Sequence, residues 1–154
     1  MSKQSAGLLL YRKRNDLLEV FLVHPGGPLW VKKDLGAWSI PKEEFSTDEE
    51  PLAAAKREFH EETGLAVPEA KYLPLTPIRQ KSGKIVHAWA VTGELETESI
   101  RSNTFEMEWP PRSGRRQSFP EVDKATWFPV ETALDRINSG QVALIHELAE
   151  KLQA

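Results

Sequence analysis

Three carboxylates fall within five residues of one segment, Glu58, Glu61 and Glu62 in the run Arg57-Glu58-Phe59-His60-Glu61-Glu62-Thr63-Gly64-Leu65. At i, i+3 and i+4 they share one face of a helix and stand a few ångströms apart. Like charges at that spacing cost an isolated helix roughly 0.2–0.5 kcal/mol per pair, and a cation between them relieves the repulsion. A charged, oxygen-only donor set suits a hard dication, Mg²⁺ or Mn²⁺, better than zinc. A solvated acidic face is the plainer reading of the same residues. It leaves Arg57, Gly64 and Glu49 at their particular offsets unexplained.

Such side chains need a rigid carrier, and the flanking residues supply one. Ser46 or Thr47 predicts a helix cap, with Glu49 or Glu50 three residues on and Pro51 in the first turn. Leu52, Ala55 and Phe59 recur at helical spacing as a buried stripe, and Gly64 supplies a left-handed stop. A capped helix holds ligands more steadily than a loop does. Upstream, the apolar runs 6–12 and 18–24 predict a strand pair around the polar turn 13–16. Residues 25–28 (Pro-Gly-Gly-Pro) break the chain, 29–35 form a loop carrying Lys32 and Lys33, and 37–40 make a short strand. Downstream, 72–79, 84–93 and 124–130 read as strands, the first two joined at Ser82-Gly83. Residues 101–122 read as one long irregular stretch, a length that inside a compact domain is usually functional or mobile. Two helices close the chain, 132–137 and 141–152, the second burying Leu144, Ile145, Leu148 and Leu152. These elements give an α/β or α+β fold.

The acidic segment resembles the Nudix box: Gly, five residues, Glu, seven residues, then Arg-Glu-apolar-x-Glu-Glu-x-Gly-apolar. Glu49 precedes Arg57 by eight positions, and the string Arg57 to Leu65 fills the remainder, with Phe59 where an aliphatic residue is usual. Glu43 stands where the pattern begins with glycine. The run Gly36-Ala37-Trp38-Ser39-Ile40-Pro41-Lys42 is similar to the lead-in Trp-x-x-Pro-Lys-Gly. The resemblance implies an α/β/α sandwich with a mixed sheet, a single domain over residues 1–154, and metal-dependent hydrolysis of phosphoanhydride bonds. Its substrates would be nucleoside diphosphate-linked compounds or nucleoside triphosphates. It implies Mg²⁺, with Mn²⁺ able to substitute, held by Glu58, Glu61, Glu62 and the Lys42 carbonyl. Glu58 is a third ligand or the group that orients or deprotonates water, and Arg57 fixes the carboxylates. Glycine at position 43 would permit a backbone that a side chain resists. Glu43 therefore implies a rebuilt loop, an added carboxylate near the metal, or a catalytically weak, nucleotide-binding sensor.

Composition narrows the partners. The 154 residues suffice for one core. A net charge of −3 argues against binding bulk nucleic acid, which needs an excess of Lys and Arg. With no cysteine, disulfides, thiolate zinc sites and cysteine nucleophiles are excluded, which fits a cytoplasmic protein. The apolar run 8–11 is far shorter than the roughly 20 residues of a membrane span. The expected partner is a small nucleotide derivative, and a homodimer is compatible with the sequence.

Substrate contacts are expected from the stretch 101–122. Arg112, Arg115 and Arg116 offer forks for phosphate oxygens, although ordinary surface arginines would look the same. Ser113-Gly114-Arg115-Arg116 could form a nest of backbone amides for an anion, and Glu106 or Glu108 could add a base or a ligand. Trp109 and Trp30, both in loops, could stack on a nucleobase, whereas Trp38, Trp89 and Trp127 are expected in the core. Among the histidines, His24 is the best placed for chemistry, at the end of a strand before the Pro-Gly break.

Overall fold

In the computed structural model, which describes residues 3–46 and 48–153, the first hairpin is present and longer than predicted. Strand β1 spans Gln4–Arg14 and β2 spans Leu17–Pro25. The turn is two residues, Asn15 and Asp16, at φ 52° and 66°. A tight hairpin turn demands that left-handed pair, and Asn and Asp tolerate it better than other side chains. Along both strands the alternating residues bury on opposite faces. Ala6, Leu8, Leu10 and Phe21 point one way, and Leu9, Val20 and Leu22 the other.

Seven further strands follow: β3 (Lys42–Glu44), β4 (Leu73–Pro74), β5 (Ile78–Arg79), β6 (Ile85–Thr92), β7 (Thr104–Glu108), β8 (Arg116–Pro120) and β9 (Val122–Pro129). The helices are α1 (Pro51–Thr63), α2 (Val130–Arg136) and α3 (Val142–Gln153). The main sheet runs β4-β6-β1-β2-β9, with β3 added to β1 and β5 to β6; β1 and β6 are parallel and the other pairs antiparallel. Ala54, Ala55 and Phe59 of α1 cover one face, while Ala133 of α2 and Leu144, Ile145 and Leu148 of α3 cover the other. Helices on both faces of a mixed sheet make an α/β/α sandwich, and both faces of β1 are apolar because both are covered.

Several local expectations differ from the structure. Helix α1 is capped by Glu50, whose carboxylate accepts from the Leu52 and Ala53 amides at 3.3 and 3.0 Å. Thr47 lies outside the described residues, and Ser46 instead closes a turn by accepting from the Asp48 amide at 3.2 Å. The predicted strand 72–79 is two short pieces, because Pro74 and Pro77 cannot donate to a ladder. Between them the Thr76 amide donates to Glu147 at 2.7 Å. Residues 37–40 make two isolated bridges, Ser39 to Val23 and Trp38 to Ile137. Of the expected core tryptophans, Trp38 is buried, while Trp89 and Trp127 are half-buried.

The largest correction concerns residues 101–122, which form the antiparallel hairpin β7–β8 in a second, two-stranded sheet. Its alternation is Thr-Phe-Glu-Met-Glu, with Phe105 and Met107 half-buried and Glu106 and Glu108 exposed. The Arg, Pro and Gly content of the tip masks this period of two. Gly64 ends α1 as predicted, at φ 73°, with its amide donating to the His60 carbonyl at 2.7 Å. A Cβ there would also stand 2.8 Å from the Arg101 carbonyl oxygen, so glycine is required twice over.

Candidate active site

The sheet face that carries α1 ends in a cavity of about 430 Å³. Three elements bring carboxylates to it. Glu62 comes from the last turn of α1, Glu43 from the middle of β3, and Glu121 from the junction of β8 and β9. One ligand oxygen from each lies within 4.8 Å of the others. On a Mg²⁺ ion with bonds of about 2.0–2.1 Å, adjacent oxygens are roughly 3.0 Å apart and opposite ones roughly 4.2 Å. The donor set therefore fits a hard dication with small adjustments of side chains.

Packing of α1 sets which carboxylate points inward. Ala55 and Phe59 are fully buried against the sheet, and Glu58 and Glu62 lie at the margin of that stripe, 5% and 6% exposed. Glu61 is displaced toward solvent. Arg57 gathers the rest: it donates to Glu49 through Nε and Nη2 at 2.9 and 2.7 Å. Its Nη1 lies 2.7 Å from Glu58 Oε1 and 3.1 Å from Glu61 Oε2. So the predicted helix carboxylates divide: Glu62 faces the cavity with Glu43 and Glu121, whereas Glu58 and Glu61 are paired with Arg57. Lys42 is half-buried in β3, one residue before Glu43, and desolvation holds its ammonium below the usual lysine range.

Burial dominates the electrostatics. It pushes Glu58 up to about 7 against the opposing pull of Arg57. It pushes Glu62 up to about 9, with the neighbouring Glu43 carboxylate adding to the effect. Glu121 is raised as well, by burial and then by Glu43 and Glu61. Glu49 moves down because Arg57 donates to it, and the same bond holds Arg57 firmly charged. Glu58 and Glu62 bind protons in the folded chain well above the ordinary carboxylate range near 4.5. More protons bound in the folded than in the unfolded state means stability falls as pH rises. The chelated protein is therefore expected to lose melting temperature as pH climbs from about 5 through 7 and on toward about 9. Added Mg²⁺ should flatten that decline by replacing the protons. A thermal melt series with chelator that stays level over this window would contradict the assignment.

Glu43 needs no special backbone. The only non-glycine residues at positive φ among those described are Asn15, Asp16 and Arg112. Glu43 lies in register opposite Ala6 within an ordinary strand, so the loop strain that glycine would avoid does not arise. Its carboxylate is instead one wall of the cavity.

The opposite wall is apolar and comes from the segment after β2 and from β7. Trp30, Leu29, Phe105 and Met107 line it, and no Lys, Arg or His is among the lining residues. Phe105 lies so close over Gly27 that a Cβ there would stand 2.8 Å from the ring. A register shift in the β2–β9 pairing at His24/Pro25 lets the Gly26 amide donate to the Glu121 carbonyl at 2.9 Å, drawing loop and carboxylate together. His24, fully buried, pins the loop: its Nε2 donates to the Lys33 carbonyl at 2.6 Å and its Nδ1 lies 2.8 Å from Asp123 Oδ1. That makes it a structural strut away from the cavity wall.

Arg112, Arg115, Arg116 and Trp109 sit at or beside the tip of the β7–β8 hairpin, and none of them lines the cavity. The amides of Ser113, Arg112 and Arg115 are already taken by the Pro110 carbonyl, Glu108 and Ser113 Oγ. Two of the four amides of the expected anion nest, those of Ser113 and Arg115, are thus engaged within the tip itself. Glu106 is exposed and Glu108 accepts from the Arg112 amide, so the carboxylates that reach the cavity from outside the helix are Glu43 and Glu121. Sequence reading missed Glu121. The available signal was an acidic residue between Pro120 and the start of a strand, which is weak taken alone.

The NUDIX domain profile matches residues 1–148. The NUDIX domain of Shewanella oneidensis NrtR, solved with ADP ribose, superposes with a TM-score of 0.67 at 16% identity, covering 99% of this chain and 89% of that one. A Caenorhabditis elegans Ap4A hydrolase superposes with a TM-score of 0.69 at 18% identity, covering 97% and 98%. An octanoyltransferase of Myxococcus xanthus is 32% identical over 102 residues, 66% of this chain. The match spans only 25% of that protein's length. With the profile covering nearly the whole chain and the fold shared with both structures, this protein belongs to the NUDIX domain family.

Proposed function

We propose that the protein hydrolyses a phosphoanhydride bond in a nucleoside diphosphate-linked compound, using Mg²⁺ or Mn²⁺. The observation that carries this reading is the pairing, in one cavity, of a carboxylate floor with an apolar aromatic wall. Glu43, Glu62 and Glu121 suit a cation-held diphosphate, and Trp30, Phe105 and Met107 suit a flat uncharged base. The absence of basic residues from the lining disfavours a triphosphate, whose additional charge would have nothing but metal to meet it. The ADP ribose bound to the NrtR domain and the substrate that gives the Ap4A hydrolase its name are both nucleotide derivatives, in accord with this reading.

When bound, the dication would neutralise and orient the diphosphate and favour attack by water. The chain's own residues do the rest. Water oxygen bonds to phosphorus, the bridging P–O bond breaks, and its electron pair leaves with the departing phosphate. The water's proton passes to a carboxylate. The family pattern implies Glu58 for this step, and burial pushes it up to about 7, but it lies beside Arg57 and outside the cavity lining. Glu62 is the inward ligand, Glu61 and the Lys42 carbonyl complete the donor set implied by the family pattern, and Arg57 is a positioning residue for Glu58 and Glu61. Arg112, Arg115, Arg116 and Trp109 would meet only the far end of a long substrate, from the hairpin tip.

The test is a turnover panel: ADP ribose, dinucleoside polyphosphates, nucleotide sugars and nucleoside triphosphates, each with Mg²⁺ and with chelator, read by mass spectrometry. Metal-dependent cleavage is expected for at least one diphosphate-linked compound and faster than for any triphosphate. Turnover confined to triphosphates, or none that responds to metal, would refute the reading.

A further inference from the structure

We propose that Glu43, at the position where the family pattern has glycine, is a direct ligand of the divalent cation. With Glu62 and Glu121 it makes a three-carboxylate site that fills before substrate arrives. This rests on the reading above that a cation occupies the cavity floor, and adds a ligand that the family pattern does not supply.

Three observations converge. Register fixes the direction: Glu43 is the cross-strand partner of Ala6, whose side chain packs with Ala54, Ala55 and Phe59 on the face covered by α1. Cross-strand partners share a face, so Glu43 is aimed at α1, where Glu62 waits. Next, the Glu43, Glu62 and Glu121 oxygens lie within 4.8 Å of one another, close enough to surround one hard ion after small side-chain adjustments. Finally, Glu62 is only 6% exposed and lines the cavity, and the Glu43 carboxylate that shares that lining is another acid. Two carboxylates held this close, one of them largely buried, repel when both are ionised, and here both border the same cavity. A dication relieves that repulsion for both acids at once.

The consequence concerns order and affinity. A usual Mg²⁺ site of this kind is completed by substrate phosphates and binds the free ion weakly. A third fixed carboxylate, held in a strand, lets the empty-handed protein bind the ion by itself. Glu43 therefore shifts metal binding ahead of substrate binding. It also leaves the metal-free cavity repelling phosphate more strongly than a glycine-bearing cavity would.

The experiment is Mn²⁺ titration of the substrate-free protein, following free Mn²⁺ by electron paramagnetic resonance, on the wild type, Glu43→Gln, Glu44→Gln and Glu62→Gln. Thermal melts in chelator check that each variant is folded; Glu43→Gln should melt no lower than wild type, since it removes a like-charge contact. The wild type is expected to show one tight site. Glu43→Gln should weaken it by about tenfold to a hundredfold, and Glu44→Gln, the same charge change on an exposed neighbour, should leave it nearly intact. Wild-type affinity in Glu43→Gln alongside loss in Glu62→Gln would overturn the role of Glu43 and leave the hydrolase reading standing. Equal weakening by Glu44→Gln would reduce the effect to bulk charge and overturn it too. Mn²⁺ binding indifferent to both Glu43 and Glu62 would remove the cation from these carboxylates and bring down both readings. Should Glu43→Gln not fold, Glu43→Gly, the residue of the family pattern, gives the same comparison.

Discussion

Glu62→Gln is expected to cut metal-dependent turnover at least about 10²–10³-fold, the loss that follows removal of one charge-stabilising group from an active site. The substitution keeps the shape of the side chain and one oxygen but removes the charge. Glu62 is the only one of the three helix glutamates that faces the cavity. The fold should not suffer. Burial and the Glu43 carboxylate already hold Glu62 protonated up to about 9 in the metal-free chain, so a neutral amide replaces a group that is neutral there. In chelator at high pH the variant should melt higher than the wild type, because it no longer has a proton to lose. Steady-state rates and melts measured side by side separate a lost ligand from a lost fold. A variant within tenfold of wild-type turnover would show that the chemistry lies elsewhere.

The largest stability effect is expected at Phe59. Its ring is fully buried, stands edge-on to Phe21 with centroids 6.4 Å apart, and joins α1 to the sheet beside Ala54 and Ala55. Truncating such a ring removes transfer free energy and leaves a cavity, together worth about 3–5 kcal/mol. At about 2–4 °C per kcal/mol for a chain of this size, the melting temperature should fall by roughly 6–20 °C. Phe59→Leu, the aliphatic choice of the family pattern, should lose far less because it keeps most of the volume. Denaturant midpoints for both variants test this. A loss below about 1 kcal/mol for Phe59→Ala would mean that the helix is anchored by something other than its apolar stripe. Because Glu58 and Glu62 flank Phe59 on the same helix, activity should fall with stability near the melting point and recover on cooling.

What could be read along the chain was the part governed by local rules. The period of Ala55 and Phe59, the left-handed stop at Gly64 and the crowding of Glu58, Glu61 and Glu62 each depend on neighbours a few residues away. So do the β1–β2 hairpin, whose Asn15-Asp16 turn lies between two apolar runs, and α3 with its buried Leu144, Ile145 and Leu148. The hairpin β7–β8 obeys the same alternation, but Pro110, Gly114 and three arginines around its tip hid a pattern only five residues long on each side. Glu50 displaced Ser46 and Thr47 as the cap because any acceptor within reach of the first free amides will serve, and one-dimensional spacing does not choose among adjacent acceptors.

The sequence by itself determined the family pattern and the helix, since residue type and short-range spacing suffice for these. Only the tertiary structure decided which carboxylates meet. Glu43 and Glu121 reach Glu62 through strand register and a shifted pairing beside Pro25, separated by 19 and 59 positions along the chain. It likewise kept Trp30 of the two loop tryptophans in the cavity wall, added Phe105 to it, and left Trp109 and the arginine-rich tip outside the cavity. Contacts between distant segments depend on how strands pair and which faces the helices cover, and no count of residues between two positions contains that information.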